Sequence, residues 1–326
     1  MTTALPAPVQ ASVGLTLTDA ERTEVERLAS ELAEAPHRLI DERAWIDTAR
    51  RLSGRLPLRI RQEVRDYRFD PGADGLLILR NLPMDPAALP ETPAVPESVE
   101  RVPTVPAAVS TLISLCLGEV VAYQAEKSGA LVQNVVPIPG REESQSNAGS
   151  TLLELHVENA FHPHRPDFVS LLCLRNDHTN TAGTLVSSIR QALTLLPEHI
   201  REVLESPRFV TQPPPSFRAG DAPQHAVLEG SRQDPNVRVD FHATSALDPG
   251  AAAALEALQA AFLDVAAMLV LQPGELAFVD NRVAVHGRTS FRPRYDGRDR
   301  WLHRTFVHLD NRRTTSYRAD SGFVLA

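Results

Sequence analysis

What most constrains the fold is a change of rhythm about a third of the way along this 326-residue chain. Past that point, short apolar or alternating runs recur at 130–136, 151–157, 168–174, 184–189, 236–241, 275–279, 282–287 and 301–308, separated by turn residues. Runs of strand length with such punctuation argue for a β-sandwich or barrel rather than alternating β-α units. Helical patterns near 197–206 and 249–270 interrupt them, so the expected class is a β-rich α+β fold.

Upstream the rhythm is helical. Thr18 and Glu21 form a capping-box pattern ahead of a helix with Val25, Leu28, Leu32 and Ala33 on one face. Further helices are expected near 43–53, 57–67 and 107–117, with a short strand at Leu76–Leu79. Prolines 83, 86, 90, 93, 96, 103 and 106 mark 82–106 as an extended connector. Pro207 to Pro235 contains Pro213-Pro214-Pro215, Gly220 and Gly230 and reads as a lid loop over a site, being too long for an ordinary connection. The expected organisation is a flexible stretch, 1–14, and a single domain, 15–326. That domain has a helical part, 15–118, and a β core, 119–326.

A net charge of −8 excludes a basic surface for nucleic acid. No apolar stretch approaches the roughly 20 residues that span a bilayer, and the N-terminus lacks the pattern of a secretion signal. The two cysteines, Cys116 and Cys173, sit in apolar runs and read as buried thiols. A cytoplasmic protein without membrane or nucleic-acid partners is expected; the sequence leaves its oligomeric state open. Lys127 is the only lysine, so nearly all positive charge is arginine, whose planar fork matches carboxylates.

The chemistry concentrates at Leu-Glu-Leu-His156-Val-Glu158. On a strand, residues i and i+2 share a face, so His156 and Glu158 can offer an imidazole nitrogen and a carboxylate oxygen to one ion. A distant third ligand would give two histidines and one carboxylate with open positions, the arrangement of non-haem iron(II) oxygenases. The pair alone is weak evidence. With 11 histidines and 41 acidic residues, about one such triplet arises by chance. His308-Leu309-Asp310 is a second, and His162 and His164 are further candidate ligands. His286 ends a short apolar strand in Asp280-Asn281-Arg282-Val-Ala-Val-His286 and is the third candidate, the bland alternative being a packed core histidine. Downstream, the Asp296-Gly297 turn leads to Arg300 and Arg304, which share a face if the run is a strand. Two inward arginines require anions, because an unpaired buried charge is costly.

Several longer stretches carry a resemblance. They are Glu126-Lys-Ser-Gly-Ala-Leu-Val-Gln, Asn147-Ala-Gly-Ser-Thr-Leu-Leu, His156-Val-Glu158-Asn-Ala-Phe-His-Pro-His-Arg-Pro-Asp-Phe-Val, Asp280-Asn-Arg-Val-Ala-Val-His286-Gly-Arg and Arg294-Tyr-Asp-Gly-Arg-Asp-Arg300-Trp. From about Leu76 to the C-terminus the chain resembles the clavaminate synthase-like iron(II)/2-oxoglutarate-dependent oxygenases, a family that includes arginine and lysine hydroxylases. The resemblance implies a distorted double-stranded β-helix, or jelly roll, wrapped by helices. It implies iron(II) held by His156, Glu158 and His286, with 2-oxoglutarate and O₂ as co-substrates. By likeness of position, Arg300 and Thr184 bind the distal carboxylate of 2-oxoglutarate. Arg304 holds the substrate α-carboxylate, Glu126 and Asn147 orient the α-ammonium and backbone atoms, and Glu158 bridges from its second oxygen. Asp240 accepts hydrogen bonds from the substrate's side-chain end, which favours a carboxamide, guanidinium or ammonium over a carboxylate.

The implied reaction is hydroxylation of the β-carbon of a free polar amino acid, asparagine foremost. Arginine, citrulline, lysine or an amino acid tethered to a peptidyl carrier protein are the alternatives. His242 stands where the asparagine-directed branch is expected to carry an apolar side chain, and it is a further candidate substrate contact. Two other readings are a zinc hydrolase using the same ligands and a metal-free jelly-roll binding module.

Overall fold

The computed structural model describes residues 14–217, 222–318 and 322–326. Its helices arise where the sequence period is helical. Asp19–Ala33 opens on the Thr18 capping box, in which Thr18 Oγ1 accepts from the Glu21 backbone N–H and Glu21 reaches back to the Thr18 N–H at 2.8 Å. Arg43–Ser53, Leu58–Phe69 and Val105–Leu117 follow, the last capped by Thr104. Of the expected flexible stretch, residues 1–13 lie outside the described residues. Gly14 stands at the edge of a sheet with φ +144°, where a Cβ would meet the Ile78 carbonyl oxygen at 2.2 Å.

The apolar runs are strands buried on both faces. In Phe168–Arg175, Phe168, Leu172 and Leu174 belong to one hydrophobic cluster and Val169, Leu171 and Cys173 to another. The same alternation holds for Leu76–Arg80 and Leu276–Asp280. This two-sided burial explains why these strands read as continuous apolar runs. They form the centre of a nine-stranded sheet that also contains Trp301–His308, Glu119–Tyr123 and Val132–Val135. A four-stranded antiparallel sheet runs in the order Ala267–Leu269, Thr184–Ser188, Ala284–Arg288, Leu153–His156. Residues of both sheets, among them Leu171, Val186, Ala284 and Leu302, share the cluster between them. The four N-terminal helices cover the outer face of the large sheet. Pro249–Asp264 and Glu198–Leu204 cover the outer face of the small one. The architecture is therefore sheet-rich, with helices on both outer faces. Among the described residues no helix is long and apolar enough to cross a membrane.

Four expectations need correction. The helix expected over 249–270 stops at Asp264, and Ala267–Leu269 pairs with Thr184–Val186 as an edge strand, because strand pairing overrides the local helical pattern. The run expected at 236–241 is a strand only over Pro235–Val237; Asp240 makes an isolated bridge to His156, and residues 241–243 form a turn. Pro207–Pro235 is not a featureless loop, since it contains strands Phe209–Thr211, Gln224–His225 and Leu228–Gly230. The 82–106 connector carries a short strand, Val99–Glu100, paired with Val132–Gln133.

Candidate active site

Side-chain alternation brings the functional groups into the space between the sheets. On the small sheet, Leu155, Leu185 and Val285 face the outer helices, so His156, Thr184, His286 and Arg288 face inward. On the large sheet, Leu302 and Phe306 face the inter-sheet cluster, and Arg304 between them points the same way. Arg300 stands one residue before that strand, so it precedes the strand that holds Arg304. A cavity of about 970 Å³ opens here, lined by His156, Glu158, His286, Thr184, Arg300 and Arg304, with Glu126, Asn147, Asp240 and His242 also on its walls. The residues that the resemblance assigns to the site thus all meet one cavity, whereas His162, His164, His308 and Asp310 do not line it.

His156 and His286 are directly paired across adjacent strands, with ring centroids 4.5 Å apart. Gly287 is required by this pairing, since a Cβ there would stand 2.6 Å from the Leu153 carbonyl oxygen. Glu158 is not on the strand as expected. The strand ends at His156, and Glu158 lies in the turn that follows. It reaches the same point because Asn281 holds its backbone. Asn281 Oδ1 accepts from the Glu158 N–H at 2.7 Å, and its Nδ2 donates to the Glu158 carbonyl at 3.1 Å. One donor atom from each of His156, Glu158 and His286 lies within 4.8 Å of the others.

The donor set fits a metal ion. His156 Nδ1 lies 2.8 Å from the Glu154 carbonyl, which can only accept, so Nδ1 carries the proton and Nε2 keeps a free lone pair. His286 Nε2 faces the Glu158 Oε2 at 3.5 Å. Burial pushes the Glu158 carboxyl up, but Arg304 and then His286 and His156 outweigh it and hold it below the ordinary range, so it stays an anionic donor. Burial lowers His286, which favours the neutral imidazole that a ligand must be. A donor set of two imidazoles and one carboxylate would suit iron(II).

Of the other candidates, His308 faces Tyr123 at 3.4 Å, and Asp310 caps the following turn through the Arg312 N–H. His162 Nδ1 accepts from the His164 N–H at 3.0 Å. A second group, His178, Asp296 and Asp299, stands at the turn before Arg300. Both Asp299 oxygens there already accept backbone N–H groups, from Arg294 and Tyr295. That turn is braced by the proline-rich connector, whose Thr92 hydroxyl donates to the Asp299 carbonyl at 2.8 Å.

Two ends of the cavity differ in charge. At one, Arg304 Nη1 donates to Glu158 at 2.9 Å, Nη2 donates to Glu126, and Nε donates to Gln133 Oε1 at 3.1 Å. Burial raises the Glu126 carboxyl against the pull of Arg304, so of the two acids Glu158 is the firmer anion. At the other end, Arg300 is 5% exposed and its only side-chain partner among the described residues is Thr184 Oγ1, at 3.4 Å. Among the described residues Arg288, 4% exposed, bonds only backbone carbonyls, and burial followed by the Arg300 charge lowers its pKa to about 9.

Asp240 and His242 do not share a strand face. Asp240 Oδ1 accepts the His242 and Ala243 N–H groups, turning the chain so that His242 is exposed, 3.8 Å from Glu154. Gln133, Asn281 and Arg288 were missed as functional candidates from sequence. Asn281 and Arg288 flank His286 in the Asp280–Arg288 segment, and Gln133 ends the 126–133 stretch beside Asn134; those positions are the available signal.

Comparison with known proteins agrees with this geometry. The profile of the taurine catabolism dioxygenase TauD, TfdA family matches residues 73–306. The chain is 48% identical to an L-asparagine oxygenase of Streptomyces coelicolor over 95% of this chain and 94% of the relative. It is 37% identical to clavaminate synthase 2 of Streptomyces clavuligerus over 89% and 90%. Among solved structures, an asparagine oxygenase in complex with Fe(II), 2S,3S-3-hydroxyasparagine and succinate superimposes with a TM-score of 0.93 at 48% identity, covering 96% of this chain and 98% of that one. The non-haem iron oxygenase OrfP in complex with Fe and alpha-ketoglutaric acid gives 0.88 at 33% identity, over 97% and 100%. On sequence and structure together, the chain belongs to the TauD, TfdA dioxygenase family and to its clavaminate synthase-like iron(II)/2-oxoglutarate-dependent oxygenases.

Proposed function

We propose that this protein hydroxylates the β-carbon of free L-asparagine in the cytoplasm, consuming 2-oxoglutarate and O₂ and releasing succinate and CO₂. The observation that carries this reading is the convergence of His156, Glu158 and His286 on one point between the two arginine ends of a single cavity. The relatives that act on asparagine, lysine, and ornithine or arginine support an amino-acid substrate. The two facing sheets correspond to the jelly roll of this reading. The chain from residue 15 onward acts as one domain, with 15–118 buttressing the core, and the 207–235 segment is read as its lid because residues 212–217 line the cavity.

Iron(II) bound by His156, Glu158 and His286 supplies the oxidising chemistry. Everything else asked of the protein is binding, orientation and exclusion of water. Arg300 and Thr184 bind the distal carboxylate of 2-oxoglutarate, where an external anion offsets a buried cation. At the opposite end an amino-acid zwitterion replaces the Arg304–Glu126 contact without changing the charge balance. Its carboxylate takes the Arg304 fork and its ammonium takes Glu126, with Asn147 beside them and Glu158 accepting through its second oxygen. A carrier thioester lacks that carboxylate, which favours a free amino acid. Asp240 keeps Oδ2 available as an acceptor for a carboxamide N–H₂, and His242 stands where it could donate to the carboxamide oxygen.

Incubation with iron(II), 2-oxoglutarate and a panel of amino acids tests the reading. Succinate and hydroxylated product should form in equal amounts with asparagine. Coupled turnover with arginine, citrulline or lysine but not asparagine would overturn the substrate assignment. His286→Ala should abolish both turnover and iron content, and retention of either refutes the ligand set.

A further inference from the structure

We infer that Arg288 is a second cationic anchor for the co-substrate's distal carboxylate, and that it ties that end of the cavity to the loop carrying Asn147. The inference rests on the co-substrate site proposed for Arg300 and Thr184. Arg288 lies two residues beyond His286 on the same strand face and is paired in register with Thr184. Its backbone therefore stands beside that of the threonine whose hydroxyl contacts Arg300. The guanidinium is buried and lines the same cavity. It donates to the carbonyls of Ser146 at 3.4 Å and Thr151 at 3.1 Å, which bracket Asn147, and it lies 5.5 Å from the Phe291 ring. Its Nε is buried with no partner, and no carboxylate pairs with it among the described residues.

Two buried guanidiniums lining one cavity, neither paired with a carboxylate among the described residues, leave positive charge uncompensated there. Carbonyl oxygens offset only part of the cost of removing a cation from water. A single carboxylate set between Arg288 and Arg300 relieves both charges, which one arginine alone would not require. The pocket therefore selects keto acids with a distal carboxylate over those without one. Because Arg288 also holds the loop on both sides of Asn147, filling this end steadies a wall of the amino-acid site.

The test is calorimetric titration of the iron(II)-loaded protein without oxygen, using 2-oxoglutarate and 2-oxobutanoate. Arg288→Met should weaken 2-oxoglutarate binding about 10- to 30-fold, as expected for loss of one charge-assisted contact. Binding of 2-oxobutanoate, which has no distal carboxylate, should change less than about twofold. Arg288→Lys, which keeps the charge, should recover part of the loss and guards against a misfolded methionine variant. Equal binding of 2-oxoglutarate by wild type and Arg288→Met overturns the inference. So does an equal loss for both keto acids, which would mark Arg288 as purely structural. Failure of the wild type itself to bind 2-oxoglutarate overturns the underlying co-substrate site as well.

Discussion

The two ends of the cavity use the same residue type in opposite ways. Arg304 is buried against two carboxylates and an amide, whereas Arg300 and Arg288 are buried with no carboxylate partner among the described residues. A paired arginine is ready for a ligand that brings both charges, because a zwitterion exchanges one ion pair for two. An unpaired arginine is ready for a net anion, because the folded protein has left its charge uncompensated. The difference separates a part of the site that stabilises the fold from a part that is held at a cost until ligand arrives.

The largest test of this contrast is Arg304→Met. Removing it strands Glu126 and Glu158 as neighbouring buried acids, so the ligand-free protein should lose about 3–5 kcal/mol. Denaturant unfolding reads this directly, and a loss below 1 kcal/mol would break the comparison. Arg300→Met should act in the opposite sense on stability. The ligand-free protein should be unchanged or more stable by about 1 kcal/mol, while 2-oxoglutarate affinity falls roughly 100-fold. Comparable destabilisation by both substitutions would show that Arg300 has a partner within the fold.

The smallest effect is a pH dependence at Lys127, beside the paired end. Its ammonium donates to the Ser98 carbonyl at 3.0 Å and to the Asn134 carbonyl. Burial, then the charge of Arg304, lowers its pKa to about 8. A lysine in the unfolded chain titrates near about 10.4, so between these values the unfolded state binds more protons. Wild type should therefore gain stability relative to Lys127→Met as pH rises through that window, by about 1–2 kcal/mol. A flat difference between pH 7 and 10 would show that the charged ammonium is not disfavoured there.

Legibility in the sequence followed burial. Strands such as Phe168–Arg175 and Leu276–Asp280 were plain because both faces are apolar. Glu119–Tyr123 follows the helix ending at Leu117 after the single residue Gly118, too short a break to mark a new element, and its pairing with Phe306–His308 and Val324–Leu325 defines it. Ala267–Leu269 continued a helical pattern until an edge of the small sheet claimed it. In the site, the spacing of His156 and Glu158 suggested a shared ion. Strand alternation does not by itself bring the two together, since Glu158 stands in a turn held by Asn281.

By itself the sequence determined the chemistry that could assemble here: two imidazoles, a carboxylate, inward arginines, and strands of a length that must stack as sheets. That much follows because side-chain type and period are local properties. Tertiary structure alone decided which arginine is paired and which is not, since charge compensation depends on side chains brought together from remote strands. The same holds for Gln133, Asn281 and Arg288, whose roles exist only through the neighbours that folding gives them.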